Sequence, residues 1–593
     1  MITIDFREED QTAVLFSDQP NRGFSELRLE LGLRSSGILD ESSTRFSVPW
    51  WEFLPARSLV RTVFDRYRLE FRLTTAAREH LRASRSRETD LRHAVSSPPQ
   101  PFEDVLQRLS RLGFRRTLLH YQVRNVARMI RFAAAADFSI PGAGKTTEAL
   151  AFFALRRNPA SRLLVVCPKN AFPVWEEQLL TCLTESSQFV RLSGGRDNIS
   201  KLLLREPKYM LIGYRQLAEV LDLITGFLRA HECFIFIDES HHIKLGSQGV
   251  IGDALLRLSH LASGKLVMTG TPLPQSVLDL VPQIRFLYPE VSVNEQNVTQ
   301  IAQPIFVRTT KKDLKLPPIT RVVRQVRMST GQANLYNLAA TETARQAQHA
   351  LTTRDKAILR TFNRSVIRLL QIASNPALVG AMSGLSDEVV QAAMADGESP
   401  KISYVCNRAR CLASEGHKVV IWSIFVRNVE LLATRLADIG ADFVHGGVEA
   451  GSDAEEDTRE AKIKRFKVDP LARVLVANPA ACSEGISLHM ACHHAIYLDR
   501  GFNAAQYIQS EERIHRIGLD PATKTTVEII QAKGTIDEVV QARLTDKIGR
   551  MARVLGDDSL GIDNVLELDP DDETLDSDDI GAILEHSSRG GSE

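Results

Sequence analysis

The 593-residue sequence has few cysteines, no long apolar run and no leader-like start, and each absence excludes a class of protein. Its seven cysteines include no Cys-x-x-Cys pair, which argues against a disulfide framework or a zinc site. No stretch approaches the roughly 18 uninterrupted apolar residues that a membrane span needs. The first residues, MITIDFREED, lack a basic segment followed by an apolar one. We therefore expect a reduced, cytoplasmic protein with no membrane partner.

The overall composition is that of a large globular protein. Hydrophobic residues make up 44% and charged residues 25%, so there is enough apolar material for several cores. At about 150 residues per domain, the length predicts roughly four compact parts.

Charge is unevenly distributed, although the formal net charge is zero. Residues 557–593 contain thirteen Asp or Glu and one arginine, a net charge of −12, which leaves +12 on residues 1–556. That excess favours a polyanionic partner. The acidic end has almost no aromatic residues, so we predict a mobile tail that either covers a DNA-binding surface or aids solubility and partner binding.

The first 100 residues read as a small β-rich accessory domain followed by a linker. Leu27 to Leu33 and Tyr67 to Leu73 alternate as half-buried strands do, and the prolines of Ser96 to Pro101 break both helix and sheet. Between Arg57 and Arg92 there are ten arginines against five acids. This arginine-rich stretch is either a phosphate-binding face or an ordinary solvated one.

Beyond residue 100, short apolar bursts alternate with helical stretches, which is the rhythm of parallel strands with crossover helices. The predicted fold class is α/β, with two RecA-like lobes and helical insertions. The predicted boundaries are 1–100 for the accessory domain and linker, 101–290 for lobe 1, 291–400 for a helical intervening region, 401–540 for lobe 2, 541–556 for a bracing helix and 557–593 for the tail.

A glycine-rich segment from Ser139 to Thr146, SIPGAGKT, has the pattern of a phosphate-binding loop, with Ser139 at the place of the usual first glycine. Gly142 and Gly144 would let backbone N–H groups surround a phosphate, Lys145 would supply a charge, and Thr146 would ligate Mg²⁺. The predicted nucleotide-contacting residues of this loop are Gly142, Ala143, Gly144, Lys145, Thr146 and Thr147.

A pair of acids, Asp238 and Glu239, follows the buried run Phe234 to Ile237. Carboxylates at a strand exit suit a magnesium site and a general base, so we assign Asp238 to Mg²⁺ and Glu239 to the attacking water. The alternative is a carboxylate pair that caps the next turn.

These two segments, Walker A loop and DExH box, resemble helicase superfamily two, and further blocks follow in the order of that superfamily. They are LHYQ ending at Gln122, VVCPKNAFPVW (Val165 to Trp175), LIGYRQL (Leu211 to Leu217) and MTGTP (Met268 to Pro272). The resemblance implies that the Gln122 amide reads adenine.

Other blocks are similar to the Swi/Snf-type translocases of double-stranded DNA. They are FVRTTKKDLKLPP (Phe306 to Pro318), Gln332 with Tyr336, LLQIASNPAL, VVIWS (Val419 to Ser423), EGISL (Glu484 to Leu488), QSEERIHRIG (Gln509 to Gly518) and GTIDE (Gly534 to Glu538). The resemblance covers residues 115 to 550. Phe502, Ala504 and Leu519 depart from the usual Trp, Pro and Gln, and Ser483 with Glu484 departs from a small pair.

The resemblance implies ATP and Mg²⁺ as cofactors and Gly485 as a further nucleotide contact. Arg513 and Arg516, three residues apart on one predicted helical turn, would reach the γ-phosphate when the lobes close. The implied nucleic-acid contacts are Lys169, Tyr214, Thr271, Arg308, Lys311, Lys312, Ser423 and Ser487. A nearby cluster, His489 with Cys492 to His494, is read as packing rather than zinc ligation.

The expected function is an ATP-dependent motor on double-stranded DNA that remodels DNA or the proteins on it. One alternative is a strand-separating DNA or RNA helicase, and another is an ATP-gated nucleic-acid-binding scaffold that recruits an effector. Relatives of this kind imply protein partners in bacterial repair, transcription recycling or phage defence.

Overall fold

The computed structural model describes residues 1–33, 39–184, 188–273, 275–352, 356–379, 387–449, 457–482, 487–502, 504–557 and 577–589. The chain divides into two compact units. The first comprises residues 1–273 and 277–313, and the second comprises residues 274–276 and 314–593.

The first 100 residues form a mixed α/β layer within the first unit. Its strands are β1 (Ile2–Arg7), β2 (Thr12–Ser17), β3 (Leu39–Ser42), β4 (Arg45–Pro49) and β5 (Phe71–Leu73), and its helices are α1 (Arg22–Gly32), α2 (Trp50–Phe53), α3 (Arg57–Tyr67) and α4 (Thr75–Ser96). The sheet order is β3-β4-β2-β1-β5. Phe24, Phe46, Trp50 and Phe64 lie in its core, away from water.

The strand predicted from Leu27 to Leu33 is wrong, because these residues belong to α1. Leu27 and Leu31 are buried, whereas Leu29 and Leu33 are exposed. A spacing of four residues fits one face of a helix as well as it fits strand alternation. The side chain of Asn21 accepts a hydrogen bond from the Phe24 amide and starts the helix. Of the second predicted strand, Tyr67 to Leu73, only Phe71–Leu73 form a strand, β5, while Tyr67 ends α3.

Residues 102–307 form a parallel sheet flanked by helices. The strands are β6 (Ala134–Asp137), β7 (Arg162–Val166), β8 (Val190–Arg191), β9 (Tyr209–Ile212), β10 (Cys233–Asp238), β11 (Gly264–Met268) and β12 (Phe306–Val307). The helices are α5 (Phe102–Arg111), α6 (His120–Met129), α7 (Lys145–Arg156), α8 (Phe172–Cys182), α9 (Arg196–Leu203), α10 (Tyr214–Glu219), α11 (Leu221–Ala230), α12 (Val250–Leu258), α13 (Leu280–Leu287) and α14 (Val298–Ala302). The order β12-β6-β11-β10-β7-β9-β8 is that of a RecA-like lobe, as expected.

The second unit contains another parallel sheet. Its strands are β13 (Ile319–Val326), β14 (Val419–Trp422), β15 (Ala441–Val444), β16 (Val474–Ala477), β17 (His494–Tyr497) and β18 (Thr525–Ala532), in the order β13-β18-β17-β14-β16-β15. Its helices are α15 (Thr330–Thr352), α16 (Lys356–Ser374), α17 (Asp387–Ala395), α18 (Pro400–Ser414), α19 (Val426–Arg435), α20 (Arg459–Val468), α21 (Pro479–Cys482), α22 (Ala504–Glu511), α23 (Ile536–Leu555) and α24 (Ser577–Arg589). The prediction of two RecA-like lobes is confirmed.

The segment expected to be helical between the lobes also contains two strands. β12 pairs with β6 in the first unit, and β13 pairs with β18 over eight residues in the second. The helices expected from residue 332 onward are present as α15 and α16. Gln332 donates to the Ile372 carbonyl at 2.7 Å, and the Tyr336 hydroxyl accepts from the Ile536 amide at 2.6 Å. These two side chains therefore tie α15 to α16 and α23.

The prediction of a mobile acidic tail is wrong for residues 577–589, which form α24, while residues 558–576 lie outside the described part. Ile580 and Ile583 are buried, and the Asp579 carboxylate is fully buried. It accepts from Arg543 Nε at 2.6 Å and from Lys547 Nζ at 2.7 Å. Acidic residues are paired here with cations of α23, which composition alone does not reveal.

In the described part of the chain, no helix combines the length and the apolar character needed to cross a membrane.

Candidate nucleotide and nucleic-acid sites

Three of the sequence motifs of the first unit meet at one edge of its sheet. The glycine-rich loop follows β6, MTGTP begins at the last residue of β11, and the two acids lie at the end of β10. The strands β6, β11 and β10 are consecutive neighbours in the sheet. Asp137 and Asp238 both pair with Met268, one from each side. Since adjacent strands lie about 4.8 Å apart, the two aspartates are separated by about 10 Å. The chain thereby brings sequence-distant segments to one place.

The glycine-rich loop has the backbone shape that a phosphate cradle requires. Gly142 and Gly144 have φ values of 86° and 90°, in the left-handed region that favours glycine. A Cβ at Gly144 would lie 2.2 Å from Nε2 of Gln122, so a side chain there would displace that amide. Helix α7 begins at Lys145, whose Nζ donates to the Ser139 carbonyl at 2.9 Å. The residues present therefore fit a nucleotide phosphate.

Gln122 lies against this loop, although both ends of its amide are used within the protein. Its Oε1 accepts from the Leu119 amide at 2.9 Å, and its Nε2 donates to the Ala143 carbonyl at 3.0 Å. The side chain thus joins the start of α6 to the loop. The adenine-reading role stays a prediction. Thr147 is buried and donates to Gln178 at 2.9 Å, so its side chain is not at the phosphate cradle.

Asp238 is held by a tryptophan that the sequence argument passed over. Trp175 Nε1 donates to Asp238 Oδ2 at 3.0 Å, and the Glu239 amide donates to Oδ1 at 3.1 Å. Burial and the neighbouring Glu239 charge raise the pKa of Asp238. A divalent cation would favour the ionised form of such a carboxylate, so Asp238 fits a magnesium ligand, while Thr146 lies in the first turn of α7. Trp175 could have been found as the end of VVCPKNAFPVW.

Glu239 has a strained backbone and is surrounded by donors. Its φ of 57° lies in the left-handed region, which is unusual outside glycine. Thr269 Oγ1 donates to Glu239 Oε2 at 3.2 Å, and His241 Nδ1 lies 3.4 Å from the same oxygen. Although burial opposes it, the His241 contact and the nearby Lys145 charge lower the pKa of Glu239. An ionised Glu239 suits a general base.

Thr269 and His241 connect this base to the next strand. His241 Nδ1 lies 3.1 Å from Thr269 Oγ1, and the Thr271 amide donates to the same hydroxyl at 3.1 Å. His242 packs on the Tyr214 ring, and burial lowers the pKa of His242 to about 3. The two histidines therefore act as hydrogen-bonding and packing partners.

A second pair of acids lies beneath the loop and was missed from sequence. Asp137 and Glu148 are completely buried, and each has one carboxyl oxygen without a hydrogen-bond donor from any described group. Asn125 bridges Glu148 Oε1 and Thr309 Oγ1, at 3.4 and 2.8 Å. Burial and the adjacent Asp137 raise the pKa of Glu148 well above its usual value. Asp137 precedes the phosphate loop and Glu148 follows it, and Asn125 is hydrogen-bonded to Glu148.

The nucleic-acid contacts expected in the first unit divide into two groups. Lys169 and Lys312 are exposed, as a phosphate contact requires, and Lys311 is partly exposed. The Tyr214 hydroxyl instead donates to the Asp238 and Glu239 carbonyls, Thr271 is buried, and Arg308 donates to the Phe138 carbonyl. The structure corrects the expectation for these three, because their side chains serve internal contacts.

In the second unit, one expected nucleic-acid contact is buried and another is partly exposed. Ser423 is buried, and its Oγ donates to Asp499 at 2.8 Å, so it does not lie on a nucleic-acid surface. Ser487 is partly exposed, with Oγ 2.7 Å from His489 Nδ1. Gly485 lies outside the described residues. Within the described ranges there is no group of three or more His, Cys, Asp or Glu side chains that could hold a metal.

Arg513 and Arg516 do not share a helical turn as predicted. Helix α22 ends at Glu511, so both arginines follow it in irregular backbone. Arg513 is buried and donates through Nε to the Gln509 carbonyl at 2.9 Å, whereas Arg516 is half-buried. The two side chains therefore have different surroundings.

Comparison with known proteins identifies two domains in the chain. Residues 138–297 match the SNF2-related domain, and residues 400–518 match the helicase conserved C-terminal domain. The two matches identify a Snf2-type ATPase core of helicase superfamily two within the chain. This agrees with the enzyme class expected from the motifs, an ATP hydrolase.

Individual relatives are distant and longer. The probable ATP-dependent DNA helicase CHR23 of Arabidopsis thaliana is 23% identical, over 70% of this chain and 40% of the relative. Chromodomain-helicase-DNA-binding protein 1-like of Mus musculus is 22% identical, over 69% of this chain and 46% of the relative. The chain thus spans less than half the length of either protein. A Sulfolobus solfataricus SWI2/SNF2 ATPase core in complex with dsDNA is 22% identical, with a TM-score of 0.33 over 76% of this chain and 95% of that one.

Both matched domains fall on the two parallel sheets. The SNF2-related match begins at Phe138, directly after β6, and includes the loop, Trp175, Asp238 and Glu239. The second match begins at Pro400 and ends at Gly518, so it includes both arginines. Residues 1–137 lie outside the two matches.

Proposed function

We propose that the chain is a Mg²⁺-dependent ATPase that moves along double-stranded DNA and remodels DNA or the proteins on it. The observation that carries this proposal is the meeting of the glycine-rich loop with Asp238 and Glu239 at one sheet edge. Lys145 lies close enough to both acids for its charge to favour their ionised forms, although burial and Glu239 still raise the pKa of Asp238. A cation between a phosphate cradle and two carboxylates is the arrangement that phosphoryl transfer from a nucleotide uses.

Five side chains of the first unit have assigned roles in this reaction. Bound Mg²⁺–ATP would supply the transferable phosphoryl group and neutralise its charge. Lys145 would leave the Ser139 carbonyl to hold the terminal phosphates, and Thr146 with Asp238 would hold the cation. Glu239, kept ionised by its neighbours, would orient a water and accept its proton. Trp175 fixes Asp238 in position through the 3.0 Å hydrogen bond.

The hydrogen bonds around Glu239 offer a route from hydrolysis to movement. Thr269 and His241 contact the carboxylate, and the backbone of Thr271 in turn binds Thr269. A change in the hydrogen bonding of Glu239 during turnover would therefore change the position of the segment after β11. The resemblance to Swi/Snf-type proteins further implies that Arg513 and Arg516 of the second unit stabilise the developing phosphate charge.

Duplex DNA is the proposed substrate because the translocase-specific blocks and the charge distribution both favour it. Residues 1–556 carry +12, and Lys169 and Lys312 are exposed. The mouse relative is named as DNA-binding. Protein partners in a bacterial repair, transcription-recycling or phage-defence system belong to the same proposal.

Two substitutions test the ATP site. Lys145→Ala should weaken ATP binding and abolish turnover, whereas Glu239→Gln should abolish turnover and still bind ATP, because only Lys145 holds phosphate. Binding of a fluorescent ATP analogue and steady-state phosphate release distinguish the two variants. Glu177→Gln, at an exposed acid of α8, is the matched control and should behave as wild type. Normal hydrolysis by either site variant would refute the assignment.

A panel of nucleic acids tests the substrate. Duplex DNA should stimulate hydrolysis several-fold, and the stimulation should fall steeply between about 50 and 200 mM salt, since phosphate contacts release counterions. Greater stimulation by single-stranded RNA than by duplex DNA would favour the strand-separating helicase. Nucleotide-dependent DNA binding with negligible turnover under all conditions would favour the scaffold.

A further inference from the structure

Four arginines lie along one outward face of α4, and neither the ATP site nor the two matched domains include them. They are Arg78, Arg82, Arg85 and Arg92, and all four are exposed. Their spacings of four, three and seven residues place them within about 80° of one another around the helix axis. We call this set the arginine face.

The opposite side of α4 is fixed to the first unit. Ala77 and Ser84 are buried, and Ala94 packs into the core around the parallel sheet. Arg87 pairs with Glu290, which follows α13, and this carboxylate is almost completely buried. The arginine face is therefore held in a set orientation on the lobe that contains the phosphate loop.

Positive charge on this face is poorly compensated. Arg78, Arg82 and Arg85 form no ion pair with any residue of the described ranges, whereas Arg92 contacts Glu88 at 2.6 Å. The remaining acids of α4, Glu79 and Asp90, lie about 100° and 120° around the helix from Arg78 and about 60° and 80° from Arg82, to one side of the face. Like charges at this spacing destabilise a helix, and a bound polyanion would relieve the repulsion.

The kind of cation is also informative. Lys145 is the first lysine of the chain, so arginine is the only permanently charged side-chain cation in the preceding 144 residues. A guanidinium group donates two parallel hydrogen bonds to a phosphate and is less strongly hydrated than an ammonium group. Exposed arginines on a helix are therefore better suited to binding phosphate than exposed lysines would be.

The length of the face suits a duplex. The 14 helical steps from Arg78 to Arg92 correspond to about 21 Å along a helix axis. Double-stranded DNA carries one charge per ~1.7 Å of its axis, so this length faces a row of phosphates rather than a single one.

Because three of the four arginines on this outward surface have no ion-pair partner among the described residues, we propose that α4 binds the phosphate backbone of duplex DNA, outside the two matched domains. The inference rests on the proposed function and adds an accessory contact to it. An accessory contact would hold the chain on DNA without entering the chemistry of ATP hydrolysis. It would be independent of sequence, because phosphate contacts do not read bases.

The test uses the full chain with the double substitution Arg82→Ala/Arg85→Ala. Binding of a fluorescent 30-base-pair duplex is titrated at 50, 100 and 200 mM salt. We expect about tenfold weaker binding at 100 mM, and a log–log salt slope smaller by about two, because two phosphate contacts are lost. ATP turnover at saturating duplex should be unchanged. Lys201→Ala/Arg205→Ala removes two exposed cations next to β9 and should alter affinity less than twofold.

The outcomes separate this inference from the proposed function. Equal affinities and salt slopes for the α4 variant and wild type would refute the arginine face and leave the motor assignment intact. Failure of the wild-type chain to bind or respond to duplex would refute the proposed function itself. Loss of binding to anionic phospholipid vesicles, with unchanged duplex binding, would overturn the inference in favour of a lipid surface. Partial recovery in Arg82→Lys/Arg85→Lys would support phosphate recognition.

Discussion

At the scale of single residues, the two arginines expected to act together occupy different surroundings. Arg513 is buried, and its Nε binds the Gln509 carbonyl, while its own carbonyl accepts from the Leu488 amide. Arg516 is half-buried. The two arginines therefore belong to the same sequence motif but differ in burial and in hydrogen bonding.

Substitution should separate catalysis from stability at these two positions. Arg516→Ala should fold with nearly wild-type stability and lower kcat by about 10³-fold or more, since its charge matters in the transition state. Arg513→Ala should also lower the free energy of unfolding by about 1–3 kcal/mol, because a buried hydrogen bond is lost. Urea denaturation and single-turnover kinetics measure both effects. Equal stability losses would contradict the distinction, and wild-type turnover by both variants would refute their catalytic role.

The buried Glu148 predicts a pH dependence of stability. Its pKa in the folded protein lies above its unfolded value, because burial and Asp137 disfavour the charge. The folded state is therefore favoured below the unfolded pKa of about 4.5 and loses stability as pH rises toward the folded pKa. Glu148→Gln removes this titration and offers an amide donor to Asp137.

We expect Glu148→Gln to flatten the decline in unfolding free energy between pH 5 and pH 8, and to be the more stable protein at pH 8. Urea denaturation at both pH values measures this. Glu148→Ala, which leaves a cavity and an unpaired Asn125, should lose stability at both pH values. An unchanged pH dependence in Glu148→Gln would contradict the shared burial of the two acids.

Local sequence patterns can suggest individual site residues, but they do not show which distant segments meet. Lys145 and Glu239 could be proposed because the loop and the strand exit each have a sequence pattern. Asp137 and Glu148 were missed because their pairing depends on the folding of α7 back over β6. Ser423 was assigned to a surface because nothing in VVIWS shows that Asp499, 76 residues later, binds it.

At the scale of elements, α24 shows how an acidic segment becomes part of a fold. Asp579 satisfies two cations of α23, and Ile580 and Ile583 cover apolar surface beside it. Removing the carboxylate would leave Lys547 buried and without this partner, which is costly. The neighbouring Asp578 is more than half exposed and contacts Arg550 at 3.1 Å.

This contrast gives a matched pair of substitutions. Asp579→Ala should lower the free energy of unfolding of the second unit by about 3–5 kcal/mol, whereas Asp578→Ala should cost about 1 kcal/mol or less. Thermal melts of the two variants, with wild type as reference, measure the difference. Similar melting temperatures for both would show that α24 contributes little to the fold.

Elements were predictable where periodicity was unambiguous. Fully buried runs such as CFIFID and VVIW form β10 and β14, because only a central parallel strand is apolar on both faces. Leu27 to Leu33 satisfied both strand and helix periodicities, and the Asn21 cap decided in favour of α1. Helix α24 was not predictable in this way, because its apolar positions are few and its stabilising ion pairs are made with another helix, α23.

At the scale of the whole molecule, charge is separated along the chain. Residues 1–556 carry +12, and residues 557–593 carry −12. Part of the acidic end is committed to α23, through Asp578 and Asp579. Residues 558–576 contain eight further Asp or Glu and no Lys or Arg. A polyanionic segment tethered to a cationic protein competes with DNA for the same surfaces.

Neutralising those eight acids to Asn or Gln should therefore tighten duplex binding at low salt. The substitutions leave α24 and its ion pairs unchanged, so the comparison is not confounded by loss of the Asp579 contacts, as truncation after Gly556 would be. The gain should shrink as ionic strength rises, because the Debye length falls from about 30 Å at 0.01 M to about 10 Å at 0.1 M. Titration of a duplex into both proteins at these two ionic strengths measures it. Equal dissociation constants at low salt would exclude competition with DNA, and a role in partner binding would then account for the acidic segment.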